Sequence, residues 1–311
     1  MGTPSEKQHR CLKKPTNQSQ LSQKTVDIGN ECDILQLTSN GKERRRSPVK
    51  CEIVFVSVFF LSVFFAVAEA YGQKDFVTAK EGNVPILLTA PHAGRPDHLL
   101  PNVPVRTGKD VKTRWDMNTD MITKLTTEYL QTTYHIVPYV VMAEFSRKSI
   151  DANRGATKAY DTAVAQPTYD QYHTAIRNYV TQIKKKFGQG ILLDIHGQGL
   201  KNNVIWRGTQ HGHTVQDLVK THGWEAVTGK NGILGFLHGL GYSIHPDGTE
   251  ESEAPYEGGY TVLTYGSQAG GIDAIQLEIG GDFRLQSPAY KKFSRDLASA
   301  IHQFYRTYLR E

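Results

Sequence analysis

Hydrophobic and polar positions form two patterns that alternate beyond residue 71. Short apolar runs bounded by glycine or proline are typical of buried strands, and they occur at 84–90, 136–143, 190–195, 203–206 and 272–279. Segments with apolar residues three or four positions apart are typical of amphipathic helices, and they occur at 116–134, 169–187, 214–221, 231–240 and 288–309. This alternation predicts an α/β domain with a mostly parallel central sheet.

The last of these helices indicates how the sheet is covered. Its apolar residues fall on one face, and they are Phe293, Leu297, Ile301, Phe304 and Tyr308. An amphipathic helix buries such a face, so we expect this helix to cover one side of the sheet.

The first 70 residues have a different pattern. Residues 1–50 are polar and lack aromatic side chains, which predicts a disordered basic tail. Residues 53–68 carry no charge, and as a helix they would span about 24 Å, against about 30 Å of bilayer hydrocarbon. We therefore interpret 52–70 as the h-region of a cleaved signal peptide or as an uncleaved signal anchor, which would make the membrane a partner. Both interpretations place the domain 71–311 outside the cytosol, secreted or membrane-anchored.

The positions of the cysteines and the charge balance exclude several kinds of function for that domain. Cys11, Cys32 and Cys51 all precede the apolar run, so the domain has no disulfide and no cysteine-ligated zinc. The chain has 36 basic and 31 acidic residues, of which residues 1–70 hold 10 and 7, which leaves 26 and 24 for the domain. A nearly balanced domain shows no electrostatic footprint for nucleic acid, so no nucleic-acid partner is expected.

Two histidines follow predicted strands. His92 lies in Pro91-His92-Ala93-Gly94, and His196 lies in a Gly-rich turn after 190–195. In open α/β sheets, ligands bind beyond the carboxyl ends of the strands. Catalytic zinc sites are built from histidine and carboxylate ligands with one open position, so the two histidines indicate a possible metal site.

Three carboxylates accompany the histidines. Asp116 begins a predicted helix, where the alternative is an N-cap. Asp194 lies two residues before His196 and therefore on the same side of the strand, where it can orient the imidazole or bind the metal itself. Glu278 interrupts an apolar strand, and burying it is costly unless it is paired or functional.

The chain also contains six short motifs in a recognisable order: Pro91-His92-Ala93-Gly94; Asp116; Ser146-Arg147 with Asp151-Ala152-Asn153-Arg154; Asp194-Ile195-His196-Gly197; Gly258-Gly259-Tyr260-Thr261 with Tyr265-Gly266; and Gln276-Leu277-Glu278. This set resembles the N-formylglutamate amidohydrolase family over residues 84–306. The resemblance implies a zinc-carboxypeptidase-like (phosphorylase/hydrolase-like) fold, a three-layer α/β/α architecture with a mostly parallel or mixed sheet.

The resemblance also implies the ligands of one Zn²⁺ per chain. His92 and His196 are the expected histidine ligands, and Asp116 is the expected carboxylate ligand. Zinc carboxypeptidases place their carboxylate three residues after the first histidine, where this chain has Arg95. Asp97 and Asp194 therefore stay alternatives for the third ligand. A second pair, His211 and His213, has no third ligand in view.

Other roles follow from the same resemblance. Glu278 is expected to be the general base that takes a proton from the attacking water. Asn153 and Arg154 resemble the pair with which zinc carboxypeptidases bind a substrate carboxylate. Arg147 is expected to bind the same anion or the oxyanion, for which a planar guanidinium is suited.

The function expected is zinc-dependent hydrolysis of the amide bond in a small, carboxylate-bearing N-acyl amino acid, N-formylglutamate-like. One alternative is a zinc carboxypeptidase acting on short or poly-glutamyl peptides. Another is a non-catalytic, membrane-tethered binding module.

The chain departs from cytosolic members of the family at Gly197, where they typically carry serine. The segment with Tyr256, Tyr260 and Tyr265 is glycine-rich and indicates either a lid or a surface loop.

Overall fold

Seven strands form one mixed sheet in the part of the chain that the computed structural model describes, residues 75–249 and 251–310. The strands are β1 (Val77–Lys80), β2 (Ile86–Ala90), β3 (Tyr139–Ala143), β4 (Ile191–Gly197), β5 (Val204–Gly208), β6 (Ser243–His245) and β7 (Asp273–Ile279). Their order in the sheet is β1-β3-β2-β4-β7-β5-β6. The central strands β3, β2, β4 and β7 are parallel, whereas β1 and β5 pair antiparallel with β3 and β7.

Helices cover both faces of this sheet, which confirms the predicted α/β class. They are α1 (Thr119–Tyr134), α2 (Ala156–Ala159), α3 (Gln166–Phe187), α4 (Gln216–His222), α5 (Glu225–Thr228), α6 (Ile233–Gly239), α7 (Tyr260–Tyr265), α8 (Gly281–Arg284) and α9 (Ser287–Phe304). Helices α1 and α9 pack on one face, and α3 and α7 pack on the other. The expected role of the C-terminal helix is confirmed, because its apolar stripe is buried against the first face.

Strand β4 shows how the two faces direct polar side chains. Leu193 and Ile195 belong to the core beneath α1 and α9, whereas Leu192 belongs to the core beneath α3. Because side chains alternate along a strand, Asp194 and His196 lie on the α3 face with Leu192. The register between β4 and β7 pairs His196 with Glu278, which places the glutamate beside the histidine on the same face of the sheet.

The elements differ from the expected ones mainly at their ends and edges. The predicted strands correspond to β2, β3, β4, β5 and β7, while the edge strands β1 and β6 were not predicted. The C-terminal helix expected over 288–309 ends at Phe304 and continues as a π-helical turn, Tyr305–Leu309.

The predicted tail 1–50, the apolar segment 52–70 and the three cysteines lie outside the described residues. Their proposed disorder, cleavage or membrane insertion therefore stays a prediction. Among the helices that the structure describes, none combines the length and the apolarity needed to cross a membrane.

Candidate metal centre

The candidate metal centre lies where β2, β4 and β7 end. His92 follows β2 by two residues, and His196 lies near the end of β4. The backbone amide of Asp116 donates to the carbonyl of His92 at 3.4 Å, which brings the segment before α1 to the end of β2. Gly94 lets this turn approach its neighbour, because a Cβ there would overlap the carbonyl of Phe145.

The three expected ligands converge in a buried group. Asp116 Oδ2 lies 3.2 Å from His92 Nδ1 and 3.2 Å from His196 Nδ1. The potential ligand atoms all lie within 4.8 Å of one another, and the three residues are at most 5% exposed. Ligands about 2 Å from a tetrahedral zinc lie about 3.3 Å apart, so the two distances from Asp116 Oδ2 to the histidine nitrogens fit such an ion.

A buried carboxylate holds the other nitrogen of each imidazole. His92 Nε2 lies 2.7 Å from Asp151 Oδ1, and His196 Nε2 lies 2.9 Å from Asp194 Oδ2. Thr89 donates its hydroxyl to the second oxygen of Asp194 at 2.6 Å. A proton kept on Nε2 by its carboxylate leaves the Nδ1 lone pair for a metal. A metal held by these two histidines would therefore bind Nδ1, the nitrogen that faces Asp116.

The charges of this group perturb its pKa values. Burial lowers the pKa of His196, but the charge of Asp194 and hydrogen bonds to Asp116 and Asp194 outweigh burial and hold it well above its ordinary value. Burial raises the pKa of Asp116, but the charge of His92 and hydrogen bonds from both histidines hold it far below its ordinary value. Metal binding requires deprotonated ligands, so a metal cation would take the place of the protons on Nδ1. The same carboxylates would then attract the cation.

Glu278 lies beside this group with a carboxylate suited to proton transfer. Burial raises its pKa to about 7, against the opposing effect of the His196 charge. Gln276 Nε2 donates to Glu278 Oε1 at 2.9 Å and fixes one of its oxygens. A general base works best when its pKa lies near the operating pH.

Arg147 brings a positive charge to the same place. Its Nε and Nη2 donate to Asp151 Oδ2 at 3.1 and 2.9 Å, and its Nη1 lies 3.7 Å from Asp116 Oδ1. The side chain is 12% exposed, so part of it remains accessible. Asp151 thus links Arg147 to His92, a connection that the sequence did not reveal.

Asn153 and Arg154 have different surroundings. Asn153 is buried; its Oδ1 accepts the amide of Thr261 at 2.8 Å, and its Nδ2 donates to Gln276 Oε1 at 3.2 Å. Arg154 is exposed, and its Nη1 donates to the carbonyl of Asn153. Asn153 therefore organises the loop beside His196, while Arg154 faces the surface.

The alternatives for the third ligand lie elsewhere. Asp97 is 71% exposed in its side chain and pairs with Arg95. Asp194 contacts Nε2 of His196, on the opposite edge of the ring from Asp116. The N-cap alternative for Asp116 is wrong, because Asn118 occupies that position and the Asp116 carboxylate binds the histidines. Within residues 75–249 and 251–310, His211 and His213 belong to no group of three potential ligands.

The glycine-rich segment before α7 is fastened to the site. Gly259 donates its amide to Gln276 Oε1 at 2.7 Å, in addition to the bond between Thr261 and Asn153. Tyr256 packs edge-to-face on Trp206, which is the register neighbour of Glu278 on β5. The segment therefore forms a wall beside Glu278.

Fold and site together define an α/β protein of hydrolase-like architecture with a buried His–Asp–His group that can hold a metal. The same fold occurs in N-formylglutamate amidohydrolase from Ralstonia eutropha, with a TM-score of 0.54, 17% sequence identity, and coverage of 75% of this chain and 98% of that one. A gene product of Agrobacterium tumefaciens gives a TM-score of 0.52 at 15% identity, with coverage of 77% and 97%. No family model and no curated sequence matches the chain. The fold that the motif resemblance implied is thereby confirmed.

Proposed function

We propose that the chain is a zinc-dependent amidohydrolase that cleaves the amide bond of a small, carboxylate-bearing N-acyl amino acid. The observation that carries this proposal is the convergence of two histidine Nδ1 atoms on Asp116, with a buried carboxylate behind each ring. Nitrogen and oxygen donors in a set of three suit a catalytic zinc with one open position. His92, Asp116 and His196 would hold one ion per chain.

The residues around a bound ion would have different roles in the reaction. A zinc ion held by His92, Asp116 and His196 would supply Lewis acidity and would lower the pKa of water towards neutral. Glu278 takes a proton from the attacking water and passes it to the nitrogen of the leaving amine. In the metal-free site, burial raises the pKa of Glu278 to about 7, near the range in which a general base works best. Asp151 and Asp194 keep the histidines in one tautomer throughout.

Two arginines favour an anionic substrate. Arg147 is oriented by Asp151 and lies beside Asp116, so its charge can stabilise a carboxylate or the developing oxyanion. Arg154 is exposed on the same loop, and Asn153 holds that loop in place. The fold shared with an N-formylglutamate amidohydrolase supports the same substrate class. We also propose that the domain acts outside the cytosol, on the strength of the apolar run at 53–68.

A substrate panel tests this function. Zinc-loaded protein would be assayed with N-formyl, N-acetyl and N-succinyl amino acids, the carboxyl-amidated form of each, and short glutamyl peptides. We expect turnover of N-acyl amino acids with a free carboxylate, little turnover of the amidated controls, and loss of activity with a chelator that added zinc reverses. Turnover of peptides alone would favour the carboxypeptidase. Zinc binding without turnover of any compound would favour the binding module.

A further inference from the structure

Arg284 joins the segments that carry Asp116, His196 and Glu278. It is the last residue of α8 and is 8% exposed. Its Nε donates to the carbonyl of Ile279, its Nη1 to that of Met117 and its Nη2 to that of Gln198, each at 3.0 Å. One guanidinium therefore binds three backbone carbonyls from three different parts of the chain.

Each of these carbonyls belongs to a residue that lies one or two positions after a residue of the site. Met117 follows Asp116, Ile279 follows Glu278, and Gln198 lies two residues after His196. The backbone of Arg284 adds a fourth connection, because its carbonyl accepts Asn118 Nδ2 at 2.8 Å. Arg284 thus ties the segments of two expected ligands and of the expected base to one another.

Gly197 provides the space that the guanidinium occupies. A Cβ at this position would lie 2.5 Å from Arg284 Nε and 2.7 Å from its Cζ, so a larger residue would displace the arginine. The amide of Gly197 also donates to Asp116 Oδ2 at 3.1 Å. Gly197 is therefore matched to an arginine 87 residues further along the chain.

We propose that Arg284 is a positioning residue that sets the spacing of Asp116, His196 and Glu278, and that Gly197 is required to admit it. This inference rests on the proposed function for its catalytic consequence. The planar fork of arginine can reach three acceptors at once, whereas the ammonium of lysine is a compact charge on a flexible stem. A lysine in place of Arg284 would therefore keep the positive charge without keeping the three hydrogen bonds.

The test uses the full-length chain and four variants: Arg284→Lys, Arg284→Gln, Gly197→Ala and the double variant Gly197→Ala with Arg284→Gln. For each we would measure the dissociation constant of Zn²⁺ against a chromogenic chelator, thermal unfolding of the metal-free protein, and kcat and KM. The matched control is Arg207→Lys, another buried arginine, which pairs with Glu253 instead.

We expect both Arg284 variants and Gly197→Ala to bind zinc about 10- to 100-fold more weakly, as is typical when groups that orient metal ligands are lost. We expect kcat to fall more than KM rises. Arg207→Lys should lower thermal stability without weakening zinc binding to the folded protein. Gly197→Ala should weaken zinc binding much less in the Arg284→Gln background, because the guanidinium that the new Cβ would overlap is gone.

Two results would overturn the inference. One is an Arg284→Lys variant whose zinc affinity and kcat stay within twofold of the wild type. The other is a Gly197→Ala substitution that weakens zinc binding equally in the wild type and in the Arg284→Gln variant. A wild type that binds zinc without hydrolysing any amide would contradict the proposed function alone, since the affinity comparison would still be decided. A wild type that binds no zinc would overturn both.

Discussion

At the scale of single residues, the site is built from pairs in which one group fixes another. Asp151 and Asp194 each hold one histidine, and Arg147 and Thr89 hold these two carboxylates in turn. The sequence shows the histidines because each follows an apolar run. It does not show that Asp151 contacts His92, because 59 residues separate them and only the tertiary fold brings them to 2.7 Å.

Replacement of Glu278 tests the assignment of the base. Glu278→Gln keeps the shape of the side chain but cannot accept the proton from water. We expect kcat to fall by about 10²- to 10⁴-fold, the usual contribution of a general base, with zinc content unchanged. Turnover assays and metal analysis of the same preparation check this. Activity close to that of the wild type would remove Glu278 from the mechanism.

Replacement of the carboxylates behind the histidines tests the metal centre. Asp151→Asn and Asp194→Asn remove the negative charge behind each ring, and an amide oxygen accepts a hydrogen bond from Nε2 more weakly than a carboxylate does. We expect zinc affinity to fall by about 10- to 100-fold in each variant. The control is Asp97→Asn, at an exposed position, which should bind zinc as the wild type does. Equal affinities in all four proteins would contradict the arrangement.

At the scale of elements, the pattern of apolar positions predicts the central strands well and the edges poorly. Strands β2, β3, β4 and β7 are buried on both faces, so apolar residues dominate their sequences, with polar interruptions in β4 and β7. The edge strand β1 is short and its last two residues are exposed, and β6 has only three residues. Such strands are defined by the neighbour with which they pair, which the local sequence does not specify.

The start of β7 carries a carboxyl whose burial makes stability depend on pH. Asp273 is 7% exposed, and its Oδ1 accepts the amide of Leu218 in α4. Burial raises its pKa from the ordinary 3.8 to about 6. Between these values the native state holds a proton that the unfolded chain has released, so this group lowers stability as pH rises from about 4 to 6.

Asp273→Asn removes that titration and keeps an acceptor for Leu218. A shift of about two pKa units corresponds to about 3 kcal/mol, so the variant should gain up to about that much stability relative to the wild type between pH 4 and 6. Urea unfolding at several pH values measures the gain, with the exposed Asp282→Asn as the control for loss of one carboxylate. A difference between Asp273→Asn and wild type that does not change with pH would contradict the account.

At the scale of the whole molecule, the alternation of strands and helices is sufficient to predict an α/β fold, and the order of the motifs is sufficient to predict its family of folds. The connection made by Arg284 is not predictable in this way, because a guanidinium that binds backbone carbonyls leaves no pattern in the sequence. In the structure, the Arg284 guanidinium occupies the space that a Cβ at Gly197 would need.

The proposed location of the domain outside the cytosol depends on residues that precede the described part of the chain. Arg44, Arg45, Arg46 and Lys50 come before the apolar run and should keep its N-terminal side in the cytosol. N-terminal sequencing of the mature protein distinguishes the two predicted forms. A start near Tyr71 indicates cleavage, an intact N-terminus in the membrane fraction indicates an anchor, and an intact chain in the cytosol contradicts both.

The central claim is that His92, Asp116 and His196 hold a catalytic zinc ion. Metal analysis of the purified chain after expression with ample zinc tests it most directly, with His196→Ala measured in parallel. We predict about one zinc per wild-type chain, and strongly reduced zinc in the variant because one of three ligands is missing. A folded wild-type chain without zinc, or a His196→Ala variant with as much zinc as the wild type, would contradict the claim.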